Sequence, residues 1–125
     1  MNRLCEESGT YLLIDIPNLY INAKNHRFCP YEWIKQIDPQ FVKQFHIIGV
    51  KNSHHNGKEV FFDTHSEDMA KTPELTKLIQ YAYEILRPEL VILERDDHFT
   101  DLNSLIHDMS SLNLKPECEI LMSNI

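Results

Sequence analysis

Carboxylate and imidazole side chains follow or interrupt several short apolar segments of this chain. Asp15 ends the run Tyr-Leu-Leu-Ile, Asp63 follows Val-Phe-Phe, and Glu94 follows Leu-Val-Ile-Leu. His46 lies inside another apolar segment, and His65 is the second residue after Asp63. Mixed imidazole and carboxylate donors suit iron, manganese or zinc. If the apolar segments lie side by side, these side chains form a metal site.

The elements that must position these residues are short strands of a parallel sheet. Nearly continuous apolar runs are typical of strands that are buried on both faces. In parallel α/β folds the functional groups gather at the carboxyl ends of the strands. Alternate residues of a strand share a face, so Asp63 and His65 are expected to point the same way. We therefore predict that the donors meet at one edge of the sheet.

Each of these residues also has a structural interpretation. Asp15 at a strand end is as well suited to cap the next helix as to bind a metal. His46 among apolar neighbours is typical of a histidine whose hydrogen bonds are satisfied in the core. Glu94 directly after a buried strand needs a partner. Arg95 is predicted to point to the opposite face of the strand, so it is not the obvious partner of Glu94.

The chain alternates predicted strands with amphipathic helices. A polar segment, 22–30, is interpreted as a loop with some helix at its start, and 51–58 as a loop by composition. Helices are predicted from Pro30 and after Thr72, where Pro73 occupies the first position, and another is capped by Thr100. We predict strands over 11–15, 41–50, 60–63 and 90–93. This order predicts a single α/β domain over 1–125, with a loosely packed tail at 113–125.

Length and charge limit the function. The chain has 125 residues, whereas a complete (β/α)₈ barrel needs about 250. The formal net charge of −7 disfavours nucleic acid as a partner. We expect no membrane association and a cytoplasmic protein, because no apolar run approaches the ~18 residues of a membrane span and no secretory signal is visible. The three cysteines form no CxxC pair, which argues against a cysteine zinc site or an iron–sulfur cluster.

Four motifs, in order, resemble those of one enzyme family. Residues 13–26 resemble an Asp-x-Asn-Asn-x-Tyr-x-Asn-Ala signature followed by Asn-His, and 45–49 resemble an Ile-His-Leu-Ala-Gly strand. Residues 62–65 match an Asp-Thr-His motif, and 92–97 match Leu-Ile-Glu-Arg-Asp-Asp. Together they are similar to the C-terminal half of the multinuclear non-heme iron-dependent oxidative enzymes, which include the methanobactin biosynthesis enzyme.

This resemblance implies a fold, a cofactor and partners. The fold would be a partial TIM barrel, xylose-isomerase-like, with about four βα units. The complete family fold holds two or three iron ions and uses dioxygen to oxidise cysteine-containing precursor peptides, often with a second protein that presents the peptide. By position, the implied metal ligands or neighbouring groups are Asp15, Asn18, His46, Asp63, His65 and Glu94, with His26 as a weaker candidate.

The chain departs from the family pattern in three ways. Pro17 replaces the first of the paired asparagines, and Val50 stands where many members have a second histidine. The resemblance covers only the C-terminal half of the barrel, so we expect the N-terminal half, which carries two further histidines and a glutamate in the family, to be missing from this chain. We therefore expect a truncated or split enzyme component that is inactive alone, and that pairs with a separately encoded N-terminal half or forms a homo-oligomer. The alternatives are a non-catalytic metal-binding or interaction remnant and a fragment of a sugar-isomerase-like divalent-metal barrel.

Overall fold

The computed structural model describes residues 1–67, 71–95 and 102–115, without the side chains of residues 64–67. The helices are α1 (Asn2–Ser8), α2 (Ile16–His26), α3 (Pro30–Lys35), α4 (Pro73–Leu86) and α5 (Leu102–Ser111), with a 3₁₀ turn at Pro39–Phe41. The strands are β1 (Leu12–Asp15), β2 (Val42–Ile47), β3 (Gly49–His55), β4 (Lys58–Glu67) and β5 (Leu90–Leu93). Of the predicted tail, only 113–115 are described, and Leu114 packs against the core.

A three-stranded parallel sheet carries the centre of the fold, in the order β1-β2-β5. Along β1 and β2, Ile14 pairs with Phe45 and Asp15 pairs with His46. On the other side of β2, His46 pairs with Ile92. The predicted α/β class with a parallel sheet is thus confirmed, and the carboxyl ends of the three strands lie at one edge.

The segment between β2 and α4 forms an antiparallel hairpin. Strands β3 and β4 pair with each other in a separate two-stranded sheet. The turn has positive φ at Asn56 (50°) and Gly57 (74°), the conformation that Asn-Gly adopts in tight hairpins. The predicted loop at 51–58 is therefore wrong. The predicted strand 60–63 exists, but in this hairpin, so the sheet of the described residues has three parallel strands where about four were expected.

Helix α2 follows β1 without a loop. Pro17 lies in its first turn, where a missing N–H costs nothing, and Arg27 with φ 59° ends it. The segment 22–30, predicted as a loop with some helix at its start, is helical as far as His26, the last residue of α2. Helix α4 begins at Pro73 as predicted. However, the Thr72 hydroxyl donates to the Val50 carbonyl oxygen (3.1 Å) and does not cap the helix.

One apolar core joins the sheet to helices α2 and α4. Phe45 and Ile47 are fully buried on one face of β2, while Gln44 and His46 on the other face are only partly buried. The buried residues that meet Phe45 and Ile47 in this cluster include Ile16, Leu19, Leu75, Leu78, Ile79 and Leu86. The apolar face of β2 thus anchors the helices and leaves its polar face for the site.

The two outer strands of the parallel sheet have exposed apolar side chains. Within the described residues, β1 and β5 each pair only with β2. Leu13 on β1 is 49% exposed and Leu90 on β5 is 50% exposed. Such an open parallel sheet is consistent with part of a barrel. Among the described helices, none is long and apolar enough to cross a membrane.

Candidate metal centre

Three sequence-predicted donors meet at the carboxyl edge of the parallel sheet. One ligand atom each from Asp15, His46 and Glu94 lies within 4.8 Å of the others, and all three residues are partly buried. The strand register brings Asp15 beside His46. The backbone N–H of Glu94 donates to the Ile47 carbonyl oxygen (3.0 Å), which continues the β5–β2 ladder and sets Glu94 next to His46.

The carboxylate of Glu94 contacts the imidazole of His46. Glu94 Oε2 lies 2.8 Å from His46 Nδ1, and the two side chains are 37% and 23% exposed. Glu94 thus has the partner that its position after a buried strand demanded. Arg95 faces away from this site and forms a buried ion pair with Asp108 on α5 (2.8 Å). The pair lies between the end of β5 and α5, outside the site.

Asp15 combines the two roles that the sequence left open. Its Oδ1 accepts a hydrogen bond from the backbone N–H of Asn18 (2.8 Å), which caps α2. The same carboxylate belongs to the donor cluster. One side chain therefore fixes the start of α2 and offers an oxygen to the site.

Substituting Asp15 separates these two roles. Ser retains a capping oxygen but has no carboxylate, whereas Ala has neither. We expect Asp15→Ala to lower the free energy of unfolding by about 1 kcal/mol and Asp15→Ser to change it by only a few tenths. Both variants should weaken divalent-metal binding. Urea denaturation and a metal titration of the two proteins check this, and equal stability of the two variants would contradict the capping role.

Asn18 and Asp63 extend the site beyond this cluster. The Asn18 side-chain N–H donates to Asp63 Oδ2 (3.1 Å), linking α2 to strand β4 of the hairpin. Asp63 is not one of the three donors that lie within 4.8 Å of one another. Asn18 nevertheless connects Asp63 to the cluster. Its side chain donates to Asp63, and its backbone N–H donates to Asp15.

Two predicted site residues remain, His65 and His26. His65 belongs to β4 by its backbone, but its side chain lies outside the described residues. His26 is exposed at the last position of α2, about 16 Å from Asp15 along the helix axis at 1.5 Å per residue. Its neighbour Asn25 has a structural contact instead. The Asn25 side chain exchanges two hydrogen bonds with the backbone of Phe61 (both 3.2 Å) and so docks α2 on β4.

Gln44 is a site residue that sequence reasoning missed. Its Nε2 lies 2.7 Å from Nε2 of His46. The sequence offered one signal for this contact. Gln44 and His46 are two residues apart on a predicted strand, so their side chains share a face. Both ring nitrogens of His46 therefore have a partner, Gln44 on one side and Glu94 on the other.

A second polar cluster fastens α2 to α4. The Tyr20 hydroxyl donates to Glu74 Oε2 (3.1 Å), and the Lys24 ammonium pairs with the same carboxylate. Burial, together with the bond to Glu74, raises the pKa of Tyr20. The hydrogen bond between Lys24 and Glu74 lowers the pKa of Glu74 and raises that of Lys24. These pKa shifts favour a neutral Tyr20 and a charged Lys24–Glu74 pair, which stabilises the packing of α2 against α4.

A cleft of about 330 Å³ opens beside the donor cluster on the outer side of β1. Asp15 and Asn18 contribute to its wall, and the rest is largely apolar, with Leu13, Leu19 and Trp33. A small side chain of a bound molecule can therefore approach the carboxylate of Asp15 from this side.

The donor set fits a transition metal. Metal–oxygen and metal–nitrogen bonds of about 2.0–2.2 Å put the donors of one ion within about 4.4 Å of one another. The ligand atoms of Asp15, His46 and Glu94 lie within 4.8 Å of one another, close to this limit. One imidazole and two carboxylates suit iron, manganese or zinc.

Comparisons with known proteins identify a matching family and several relatives of this chain. Residues 1–114 match the profile of the family described as RiPP precursor modification enzyme MbnB/TglH/ChrH. A UPF0276 protein of Caulobacter vibrioides is 33% identical over 106 residues, 85% of this chain and 36% of that protein. UPF0276 proteins of Rhizorhabdus wittichii (31% over 109 residues, 87% and 37%) and Acaryochloris marina (32% over 101 residues, 81% and 33%) are also similar. The chain spans about a third of the length of these relatives.

Proposed function

This chain belongs to the MbnB/TglH/ChrH family of RiPP precursor modification enzymes, and from that premise we propose that it supplies part of the metal centre of such an enzyme. RiPPs are ribosomally synthesised and post-translationally modified peptides. The observation that carries the proposal is the convergence of Asp15, His46 and Glu94 from three neighbouring strands. The family is one of metal-dependent enzymes, and these are the donors that the described residues bring together.

The proposed metal is iron and the proposed reaction is the oxidation of a cysteine-containing precursor peptide by dioxygen. Bound ferrous iron would supply the redox and dioxygen chemistry that no side chain provides. The two carboxylates and the imidazole support this proposal, because they are ligands that ferrous iron accepts. The proposed compartment is the cytoplasm, where cysteine thiols stay reduced.

The protein's own residues have distinct tasks in this proposal. Asp15 and Glu94 offset the positive charge of a bound ion, and His46 contributes a neutral nitrogen. Asn18 holds the Asp63 carboxylate beside the cluster through its 3.1 Å hydrogen bond. The cleft beside Asp15 admits a peptide side chain to the donors. Partial burial of the donors limits water at the site while leaving one side open.

We also propose that the site is completed by further polypeptide. The chain corresponds to about a third of the length of its relatives, and by motif resemblance to a C-terminal portion. The outer strands β1 and β5, with Leu13 and Leu90 exposed, are suited to pair with the remaining strands of a barrel. A separately encoded N-terminal half is the favoured partner, with a second copy of this chain as the alternative. The precursor peptide and a protein that presents it complete the assembly.

A chimera tests the proposal. In the chimera, this chain replaces the matching segment of the Caulobacter vibrioides relative. The iron content of the purified protein is measured, and so is its oxygen uptake with a synthetic cysteine-containing peptide. We expect the isolated chain to bind iron weakly and to consume no oxygen. The chimera is expected to bind iron tightly and to consume oxygen when the peptide is present. The same chimera with Glu94→Ala is the matched control and should lose bound iron.

The possible outcomes of this experiment distinguish the proposed function from its alternatives. Peptide-dependent oxygen uptake by the isolated chain would contradict the need for further polypeptide. A chimera that binds iron but leaves the peptide unchanged would favour the second candidate, a non-catalytic metal-binding domain. A chimera without iron would contradict the metal centre.

A further inference from the structure

Both ring nitrogens of His46 are held by side chains. Nδ1 lies 2.8 Å from Glu94 Oε2, and Nε2 lies 2.7 Å from Nε2 of Gln44. A carboxylate can only accept a hydrogen bond, so Nδ1 carries the proton in this arrangement. Nε2 then accepts a hydrogen bond from the Gln44 amide. The imidazole is therefore in one defined tautomer and one defined orientation.

The two nitrogens face different parts of the protein. Gln44 precedes His46 by two residues on β2, so it lies one step back from the carboxyl edge on the same face of the strand. Asp15 and Glu94 lie at the carboxyl edge itself. Nδ1 thus points towards the carboxylates, and Nε2 points down the strand towards Gln44. A metal held by the two carboxylates would therefore meet Nδ1, the nitrogen that contacts Glu94.

Metal binding at Nδ1 requires the opposite tautomer. The lone pair of Nδ1 must be free, so the proton must lie on Nε2, and Nε2–H then needs an acceptor. The terminal amide of Gln44 offers either a donor NH₂ or an acceptor carbonyl oxygen, according to its rotation about the last side-chain bond. Half a turn of this amide exchanges the two without moving any other heavy atom.

We propose that Gln44 is a positioning residue that selects Nδ1 of His46 as the metal-binding nitrogen. The inference rests on the proposed metal centre and adds the residue that orients its imidazole. With no metal, the Gln44 amide donates to Nε2 and leaves the proton between Nδ1 and Glu94. With a metal at Nδ1, the amide is turned and its oxygen accepts from Nε2–H. Partners of this kind fix the orientation of metal-binding histidines.

The experiment compares two near-isosteric substitutions of Gln44 in the 125-residue chain. Gln44→Met removes every hydrogen bond, whereas Gln44→Glu keeps an acceptor for Nε2–H. Zinc, a diamagnetic probe, is titrated by calorimetry, and the ¹⁵N chemical shifts of His46 identify the nitrogen that binds it. The control is Gln80→Met on α4, which loses an amide hydrogen bond to the Leu112 carbonyl oxygen (2.9 Å) far along the chain from His46.

We expect Gln44→Met to weaken zinc binding by about 10–100-fold, the range for such orienting partners. Gln44→Glu should bind zinc at least as tightly as the unsubstituted chain, and Gln80→Met should bind it equally. A purely structural Gln44 would instead make both of its variants bind alike. In the unsubstituted chain and in Gln44→Glu, zinc should shift Nδ1 and leave the proton on Nε2.

Several results would overturn the inference. Unchanged affinity in Gln44→Met, or zinc on Nε2 in the unsubstituted chain, refutes the role of Gln44 while leaving the metal centre intact. If Gln44→Met does not fold, the folded Gln44→Glu protein decides. A tenfold or greater loss of its zinc affinity also refutes the role of Gln44. If the isolated chain binds no zinc, the same variants are compared in the chimera with the Caulobacter vibrioides relative; absence of zinc binding there as well refutes the metal centre itself and the inference with it.

Discussion

Substitution of His46 by alanine is expected to lower the affinity of the chain for a divalent metal by on the order of 100-fold or more. This loss exceeds the 10–100-fold effect of an orienting partner, because the variant lacks the only nitrogen donor of the described cluster. His46 is also the residue between Asp15 and Glu94, so the remaining carboxylates lose the group that spaces them. Calorimetric titration with zinc or manganese measures the change.

The matched control for this prediction is His54→Ala, which removes an exposed histidine of strand β3. It should leave the affinity unchanged. Thermal unfolding provides a second readout, since saturating metal at about 100 times Kd stabilises a protein by about 2.7 kcal/mol. This stabilisation should persist in His54→Ala and vanish in His46→Ala. Equal affinities in the two variants would show that the metal does not bind at this cluster.

Substitution of Phe45 by alanine is expected to lower the free energy of unfolding by about 3–5 kcal/mol. Phe45 is fully buried on the central strand and faces the core that α2 and α4 share. Its removal leaves a cavity that surrounding strands and helices fill only in part. Since whole domains are stable by about 5–15 kcal/mol, this loss brings the protein close to unfolding.

Urea denaturation followed by the fluorescence of the single tryptophan, Trp33, measures this loss. The control is Phe62→Ala on the hairpin, where the ring is 44% exposed and a cost below about 1 kcal/mol is expected. A similar cost at both positions would refute the central place of β2 in the core. Because Phe45 and His46 point to opposite faces of β2, folded Phe45→Ala should retain its metal affinity.

The sequence predicted the parallel sheet because local signals and burial agreed there. The apolar runs that lead to Asp15 and Glu94 form β1 and β5; Asp15 is the last residue of β1, and Glu94 directly follows β5. Convergence of Asp15 with His46 followed from a general property of parallel sheets, the common edge of their carboxyl ends. The carboxylate of Glu94 directly follows a buried strand and therefore needs a hydrogen-bond partner. The sequence did not indicate that this partner is His46.

The errors have separate physical causes. Residues 51–58 are polar enough for a loop, but the Asn56-Gly57 pair is a strong hairpin signal that composition conceals. Helix α2 starts directly after β1 with Pro17 in its first turn, and it extends further into the polar segment 22–30 than the composition of that segment indicates. The contact of Gln44 with His46 depends on which way two side chains turn on one strand face, and no periodicity encodes that.

Asp15 gives this site an evolutionary constraint. A single carboxylate starts α2 and belongs to the donor cluster, so natural selection cannot adjust the helix and the site independently at this position. A lineage that abandoned the chemistry would still retain a short polar residue there, and Ser, Thr or Asn would suffice. Replacement of Asp15 by Ser, Thr or Asn in a descendant gene therefore marks a copy that has lost this carboxylate donor and kept the helix cap.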